Sequence, residues 1–178
     1  MNIKGSQTEK NLYKTFAGES RARNKYTFYA EAARCAGYRW VAEIFEETAE
    51  NEKAHAREAF KRYLKKVRST EYNLEDAIKS EAEEHKRIYK EFEDTARNEG
   101  FEEIAIFYKE LREVEENHEK RFRKLLEMIK DNKMFKSNEN KLWQCMNCGY
   151  IHEGKEAPEV CPLCKYPREY FKQYCEIK

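Results

Sequence analysis

Two Glu-x-x-His pairs, Glu52/His55 and Glu115/His118, stand in a chain that holds only four histidines. Residues three apart on a helix share one face, one turn apart, so each pair can aim a carboxylate and an imidazole at one point. Glu19 and the pair Glu81/Glu84 add further acids in the same part of the chain. Near the C-terminus Cys145/Cys148 and Cys161/Cys164 form two Cys-x-x-Cys pairs with twelve residues between them. Carboxylates mixed with imidazoles suit metal ions that accept oxygen and nitrogen donors, and four thiolates suit a tetrahedral sulfur site. In a chain read as cytosolic, that cysteine pattern argues for metal rather than disulfides.

The elements that must position these groups are helices. All three prolines follow residue 157, so nothing upstream forces a break, and Gly37 and Gly100 fall where helix ends are needed. The pattern predicts helices over about 8–36, 38–66, 73–98 and 100–131. The fourth helix carries a stripe through Ile104, Tyr108, Leu111, Glu115, His118, Phe122, Leu125 and Ile129 at spacings of four and three. The second has a similar stripe through Val41, Phe45, Thr48, Glu52, His55, Ala59 and Tyr63. Glu19 sits on that of the first, and Glu81 and Glu84 on that of the third. Glu-x-x-Glu alone says little, because Glu43/Glu46, Glu47/Glu50 and Glu110/Glu113 share the spacing on solvated faces. The Glu-x-x-His matches are more telling, since both lie mid-helix on an apolar stripe. Unpaired buried carboxylates are costly, and two iron ions would supply the compensating charge. Glu from two helices with Glu-x-x-His from two others is the di-iron carboxylate bundle pattern, here with an additional acid on the third helix. Tyr26 follows Glu19 and Tyr89 follows Glu81 by two turns, within reach of ligand carboxylates. His85 and His152 lack this context, and surface or local structural roles are expected for both.

Composition sets the bounds. Lys+Arg is 35 and Asp+Glu 34, so no basic excess points to nucleic acid or to an anionic membrane. No apolar run approaches the roughly 20 residues that span a bilayer. Met1-Asn2-Ile3-Lys4-Gly5 lacks a signal-peptide core, and a cytoplasmic protein is expected. Residues 1–135 are expected to form the helical domain, 136–140 a linker, and 141–178 a small second domain rich in Cys, Pro, Gly and aromatics. A segment that short needs a metal to staple it. Trp143, Tyr150, Tyr166 and Phe171 could keep water from its sulfurs, and spacing alone leaves iron and zinc open. Cys35 and Cys175 are expected to be ordinary reduced thiols.

Taken in order, Ala17-Gly18-Glu19-Ser20, Glu52-x-x-His55, Glu81-x-x-Glu84, Glu115-x-x-His118, Cys145-x-x-Cys148-Gly-Tyr and Cys161-Pro-x-Cys164 make nearly the whole chain resemble the rubrerythrins. The resemblance implies an all-α ferritin-like four-helix bundle followed by a small rubredoxin-like β/loop domain, and favours iron over zinc in the tail. It implies a diiron site ligated by Glu19, Glu52, Glu81, Glu84, Glu115 and His118. One iron would exchange between Glu84 and His55, and Tyr26 and Tyr89 would hydrogen-bond ligand carboxylates. The implied cofactors are two non-haem irons and one iron held by Cys145, Cys148, Cys161 and Cys164. The implied activity is reduction of hydrogen peroxide to water in oxidative-stress defence. Electrons would come from an NAD(P)H-dependent reductase or a rubredoxin. A ferroxidase or iron-handling ferritin-like protein is the alternative, and a helical scaffold with a zinc ribbon a further one. No Gly-rich strand–helix turn suggests that the chain binds a nicotinamide itself.

Chain length bears on assembly. In a ferritin-like bundle the second and third helices run the same way, so their link must climb back along the bundle. With helix ends near 67 and 73 the climb is about 34 Å, whereas six extended residues reach about 20 Å. A homodimer is expected, with the first two helices of one chain paired with the last two of another.

Overall fold

The computed structural model describes residues 3–174 of the chain, so Cys175 lies outside the described residues. They fall into two compact units that divide between Ser69 and Thr70. The first unit is a helical hairpin of α1 (Gln7–Cys35) and α2 (Arg39–Arg57), the latter running on into a π-helical turn, Glu58–Tyr63. Ser6 caps α1: its hydroxyl accepts from the Glu9 amide at 3.1 Å, and the Glu9 carboxylate accepts from the Gly5 amide at 2.6 Å. Side chains thereby satisfy amides that the first turn leaves without partners. The hairpin turns at Gly37 (φ 84°), where the Tyr38 amide reaches back to the Ala33 carbonyl at 2.9 Å. A left-handed residue there favours glycine.

The second unit begins with α3 (Thr70–Glu83), a π-helical turn (Glu84–Ile88) and α4 (Tyr89–Asn98), together the expected third helix. Gly100, again at φ 84°, turns the chain into α5 (Glu102–Lys130), with the Phe101 amide on the Ala96 carbonyl at 2.8 Å. Two boundaries differ from the sequence expectation. Helical backbone after α2 stops at Tyr63, because Lys65 takes a left-handed φ of 53°, and α3 starts at Thr70 rather than 73.

The two hairpins follow one plan. Gly37 to Glu52 and Gly100 to Glu115 are equal spacings, and both continue to His at the same distance. Glu19 to Gly37 is one residue shorter than Glu81 to Gly100, and the extra residue falls between Glu81 and Tyr89, where the π turn lies. A π turn accommodates one inserted residue within a helix. In the first hairpin Ala30, Ala42, Ala49, Ala56 and Ala59 are buried, which lets α1 and α2 approach closely. The corresponding second-hairpin positions of Ala30, Ala49 and Ala56 hold Glu93, Arg112 and Glu119. The apolar stripes, expected to face inward, remain partly open: Val41 and Ile104 are exposed, as are their neighbours Ile44 and Phe107.

After α5 the chain forms a three-stranded antiparallel sheet, β1 (Lys136–Cys145), β2 (Ile151–Glu156) and β3 (Phe171–Gln173), in the order β2-β1-β3. Residues 136–140, expected as a linker, carry strand backbone, with Lys136 opposite Glu156 and an irregular register before Lys141. The core of this part is Trp143, Cys145, Ala157, Cys161 and Phe171, and the Trp143 indole donates to the Gly154 carbonyl at 2.9 Å. No helix of the described residues is long and apolar enough to cross a membrane.

Candidate metal centres

The helix pairing brings the predicted ligands into two matching triads. In the first hairpin, Glu19 on α1 meets Glu52 and His55 on α2, each with a ligand atom within 4.8 Å of the others. In the second, Glu81 on α3 meets Glu115 and His118 on α5 within the same limit. The geometry repeats closely. His55 Nδ1 lies 2.9 Å from Glu52 and 3.7 Å from Glu19, while His118 Nδ1 lies 2.7 Å from Glu115 and 3.8 Å from Glu81. Glu84 does not converge with the second triad. It stands at the start of the π turn and hydrogen-bonds the Tyr89 side chain. Tyr26 lies among the rings of Tyr29 and Phe45.

The electrostatics of both triads call for cations. A hydrogen bond to Glu52 is the largest influence holding the Glu19 carboxyl above its ordinary range, with burial and the Glu52 charge adding to it. Glu52 is shifted down, by that same hydrogen bond and then by His55. Burial raises Glu81, and its contact with Glu115 raises it further. Without a cation, carboxylates this close hold a proton in common; a metal ion takes its place. Carboxylate oxygen with imidazole nitrogen is a donor set that suits iron, so the residues fit the metal pair that the sequence pattern implies.

The cysteines fit a metal on distance as well. Cys145 and Cys164 have sulfurs 3.7 Å apart, as do Cys148 and Cys161. A tetrahedron with metal–sulfur bonds of about 2.3 Å has edges of about 3.8 Å, whereas a disulfide needs about 2.05 Å. The two knuckles share one backbone plan. The Cys145 amide donates to the Tyr150 carbonyl and the Cys161 amide to that of Tyr166, both at 2.8 Å. Gly149 (φ 78°) and Lys165 (φ 62°) hold equivalent left-handed positions. The thiols are electrostatically unequal. For Cys148, burial and the neighbouring sulfurs overcome the Tyr150 amide and push the thiol up to about 12. Hydrogen bonding, from Asn147 first, pulls Cys164 down to about 6.

Profiles of known families agree with this arrangement. The rubrerythrin profile matches residues 10–126 and 72–145, and the rubrerythrin rubredoxin-like domain matches 143–172. The chain belongs to the rubrerythrin family. Rubrerythrin-1 of Clostridium acetobutylicum is 44% identical, with 96% of each chain covered. The rubrerythrin of Porphyromonas gingivalis is 42% identical over 96% of this chain and 92% of its own. A solved nigerythrin in its fully reduced, all-ferrous state is 31% identical, covers 94% of this chain and 86% of its own, and has a TM-score of 0.37. Rubrerythrin membership and the geometry together give the ferritin-like plus rubredoxin-like fold, with candidate diiron ligands in the two triads and a rubredoxin-like tetracysteine site.

Sequence reasoning passed over one group in this region. His85, expected to be superficial or locally structural, has a side chain only 11% exposed, and its Nε2 donates to Glu119 at 2.6 Å. Glu119 also takes Arg123 at 2.7 Å and Lys86 at 3.3 Å. The available signal was an acid next to His118 where the other hairpin has Ala56.

Proposed function

We propose that this chain reduces hydrogen peroxide to water at a diiron centre and draws its electrons through the tetracysteine iron. The observation that carries the reading is the joint presence of two carboxylate–histidine triads and a tetrahedral sulfur site on one chain. Iron storage needs no such electron feed. The reaction consumes two electrons and two protons for each peroxide and yields two waters. When bound, the metal pair supplies open coordination positions and charge that stabilise the separating oxygens. Glu19, Glu52, Glu81, Glu115 and His118 would hold the metal pair, with His55 beside Glu52 as the imidazole that exchanges with Glu84. Glu19 and Glu81 are the carboxyls whose shared proton a bound cation would displace, which makes them ligands of the same pair. Glu84 would be the further acid ligand, and Tyr89 hydrogen-bonds it. We take the diiron domain to end at residue 135 and the tetracysteine domain to begin with β1 at Lys136.

The assembly we propose is a homodimer in which the first hairpin of one chain meets the second hairpin of its partner. In a ferritin-like bundle the triads must stand level. At 1.5 Å per residue, Tyr63 is then about 17 Å below Glu52 and Thr70 about 17 Å above Glu81. Residues 64–69 reach at most about 25 Å when stretched, against a climb of about 33 Å. A reductase using NAD(P)H, or a rubredoxin, is the electron source we expect at the tail.

A single turnover tests the function. The iron-loaded chain is fully reduced without oxygen, mixed rapidly with hydrogen peroxide or with oxygen, and followed by the absorbance of the tail iron. Fast oxidation by peroxide with slow oxidation by oxygen supports the peroxidase. Equal rates, or a tail iron that stays reduced, support an iron-oxidising protein instead.

A further inference from the structure

The π turn at Glu84–Ile88 changes which side chains face the triad. At about 100° per residue, Tyr89 on an uninterrupted α-helix would stand about 80° around from Glu81. One inserted residue sets the rotation back by about 100°, which brings Tyr89 to within about 20° of Glu81 and to Glu84. In α1 the Glu19–Tyr26 spacing is one residue shorter, and the helix is regular throughout. The insertion is therefore what keeps the tyrosine on the ligand face of the second hairpin, beside Glu84.

Such a turn has a cost: when the helix returns to its four-residue ladder, a carbonyl is left without its helical amide. The Tyr89 amide bonds to Glu84 across the turn, and Arg112 Nε on α5 donates to the His85 carbonyl at 2.9 Å. The Arg112 guanidinium is fixed in turn, because its Nη1 donates to Glu93 at 2.7 Å. Glu93 is 7% exposed and receives a longer contact from Arg97. The His85 ring is tied to α5 as well, through Glu119. Residue 85 is thus held at its backbone and at its ring, immediately after Glu84. These charged residues replace Ala30, Ala49 and Ala56 of the hairpin that has no π turn between its first ligand and its glycine. The clamp and the inserted residue occur together.

We propose that Arg112, oriented by Glu93, is a positioning residue: it holds the π turn through the His85 carbonyl and thereby sets where the Glu84 carboxylate stands relative to Glu81, Glu115 and His118. This rests on the reading of Glu84 as a metal ligand. A bidentate guanidinium is required, because a lysine ammonium cannot hold both the carbonyl and Glu93 in the same fork. Groups that support ligands from outside the coordination sphere typically change metal affinity by about 10- to 100-fold.

The test uses the full chain. Amide hydrogen exchange is measured without iron on three variants: Arg112→Leu, Arg112→Lys, and the pair Glu93→Ala/Arg112→Ala, which copies the first hairpin and leaves no unpaired charge. Exchange across residues 85–90 should rise at least about tenfold in all three, with α1 and α2 unchanged. Cobalt(II) affinity of the carboxylate site is then measured by chelator competition in a double-mutant cycle with Glu84→Ala. Arg112→Lys should weaken cobalt by about 10-fold or more on its own and by less than about twofold when Glu84 is already alanine. Unchanged exchange over 85–90 would overturn the clamp. An Arg112 effect that persists in the Glu84→Ala background would show a general structural role instead. A Glu84→Ala chain that binds cobalt like the parent would remove the ligand reading, and the proposal with it, even where the exchange result stood.

Discussion

Lengthening the link between Tyr63 and Thr70 should change which chain completes each metal centre. The native residues 64–69 fall about 8 Å short of the climb that closure within one chain requires. The left-handed turn at Lys65 and the Lys66 amide on the Phe60 carbonyl shorten the usable reach further. Twelve Gly/Ser residues inserted after Val67 would give a link able to stretch to about 60 Å, with a relaxed span of about 24 Å. Closure then becomes intramolecular at an effective concentration near the millimolar range. In a sample at about 10 µM that favours closure within the chain by about 100-fold.

Complementation reads the difference. One chain carries Glu52→Ala/His55→Ala and the other Glu115→Ala/His118→Ala, and the two are unfolded together, refolded and loaded with iron. In an exchanged dimer, a mixed pair has one site with both triads intact and one with both broken. Random pairing therefore restores about a quarter of the wild-type sites. With the long link each chain keeps its own broken site, and mixing restores almost none. The count is made from bound iron relative to the tetracysteine absorbance, with light scattering to give the mass. No recovery with the native link, or equal recovery with both links, would refute the reasoning from length.

Three further outcomes follow from particular contacts. Glu119, held down to about 2 by His85 first and then by Arg123 and Lys86, has a folded-state pKa below its ordinary 4.5. Its contribution is present above about pH 4.5 and is lost as pH falls toward 2. It amounts to at most about 3 kcal/mol, and about 1–2 kcal/mol once screening at the exposed Lys86 and Arg123 is counted. Urea unfolding from pH 5 to 2.5 should show a flatter acid limb in Glu119→Gln, and parallel limbs would refute it. Lys165→Gly should stabilise the tail by about 0.5–1 kcal/mol, because glycine takes the left-handed backbone without the side-chain penalty that lysine pays at φ 62°; thermal melting of the metal-loaded chain checks this. Stripping the tail metal should unfold the sheet while the helices persist, because its buried core among the described residues is the small set Trp143, Cys145, Ala157, Cys161 and Phe171, two of them ligands. Loss of near-UV signal from Trp143 with far-UV helicity retained is the expected signature.

The triads were legible because their signal is local. Glu52/His55 and Glu115/His118 need only one helical turn each, and Glu19 and Glu81 need only the hairpin that Gly37 and Gly100 impose. The cysteine knuckles are local in the same way. What the sequence hid was phase. A period of 3.6 run through residues 73–98 gives no hint that Glu84–Ile88 departs from it, and the spacing from Glu81 to Tyr89 passes for two turns either way. The departure becomes visible only when the hairpins are set against each other and one is found a residue longer. The stripes through Val41 and Ile104 are exposed within their own hairpins, where alanines such as Ala42, Ala49, Ala56 and Ala105 are buried, together with Ile78, Glu93 and Glu119 in the second. A two-helix unit closes on its alanines and leaves its larger apolar residues facing outward, as a hairpin must if it is to be half of a bundle.

Charge balance links the inserted residue to the chemistry. The first triad supplies two carboxylates, Glu19 and Glu52, and the second also supplies two, Glu81 and Glu115, so symmetric hairpins would offer four negative charges. Two ferrous ions carry four positive charges, and a site of that kind is neutral only when reduced. On oxidation to two ferric ions it would be left with an excess of two, a large uncompensated charge among groups that are already partly buried. As a fifth carboxylate ligand, Glu84 would place the balance between the two oxidation states, one negative charge in excess for two ferrous ions and one too few for two ferric ions. This acid stands where the π turn begins, and the inserted residue returns Tyr89 to it. The second hairpin can hold the inserted residue in register because Arg112, Glu93 and Glu119 stand where the first hairpin has alanine. By this argument the asymmetry between the hairpins is what suits the centre to cycling between oxidation states. Glu84→Ala should cost the site its oxidised form more than its reduced one.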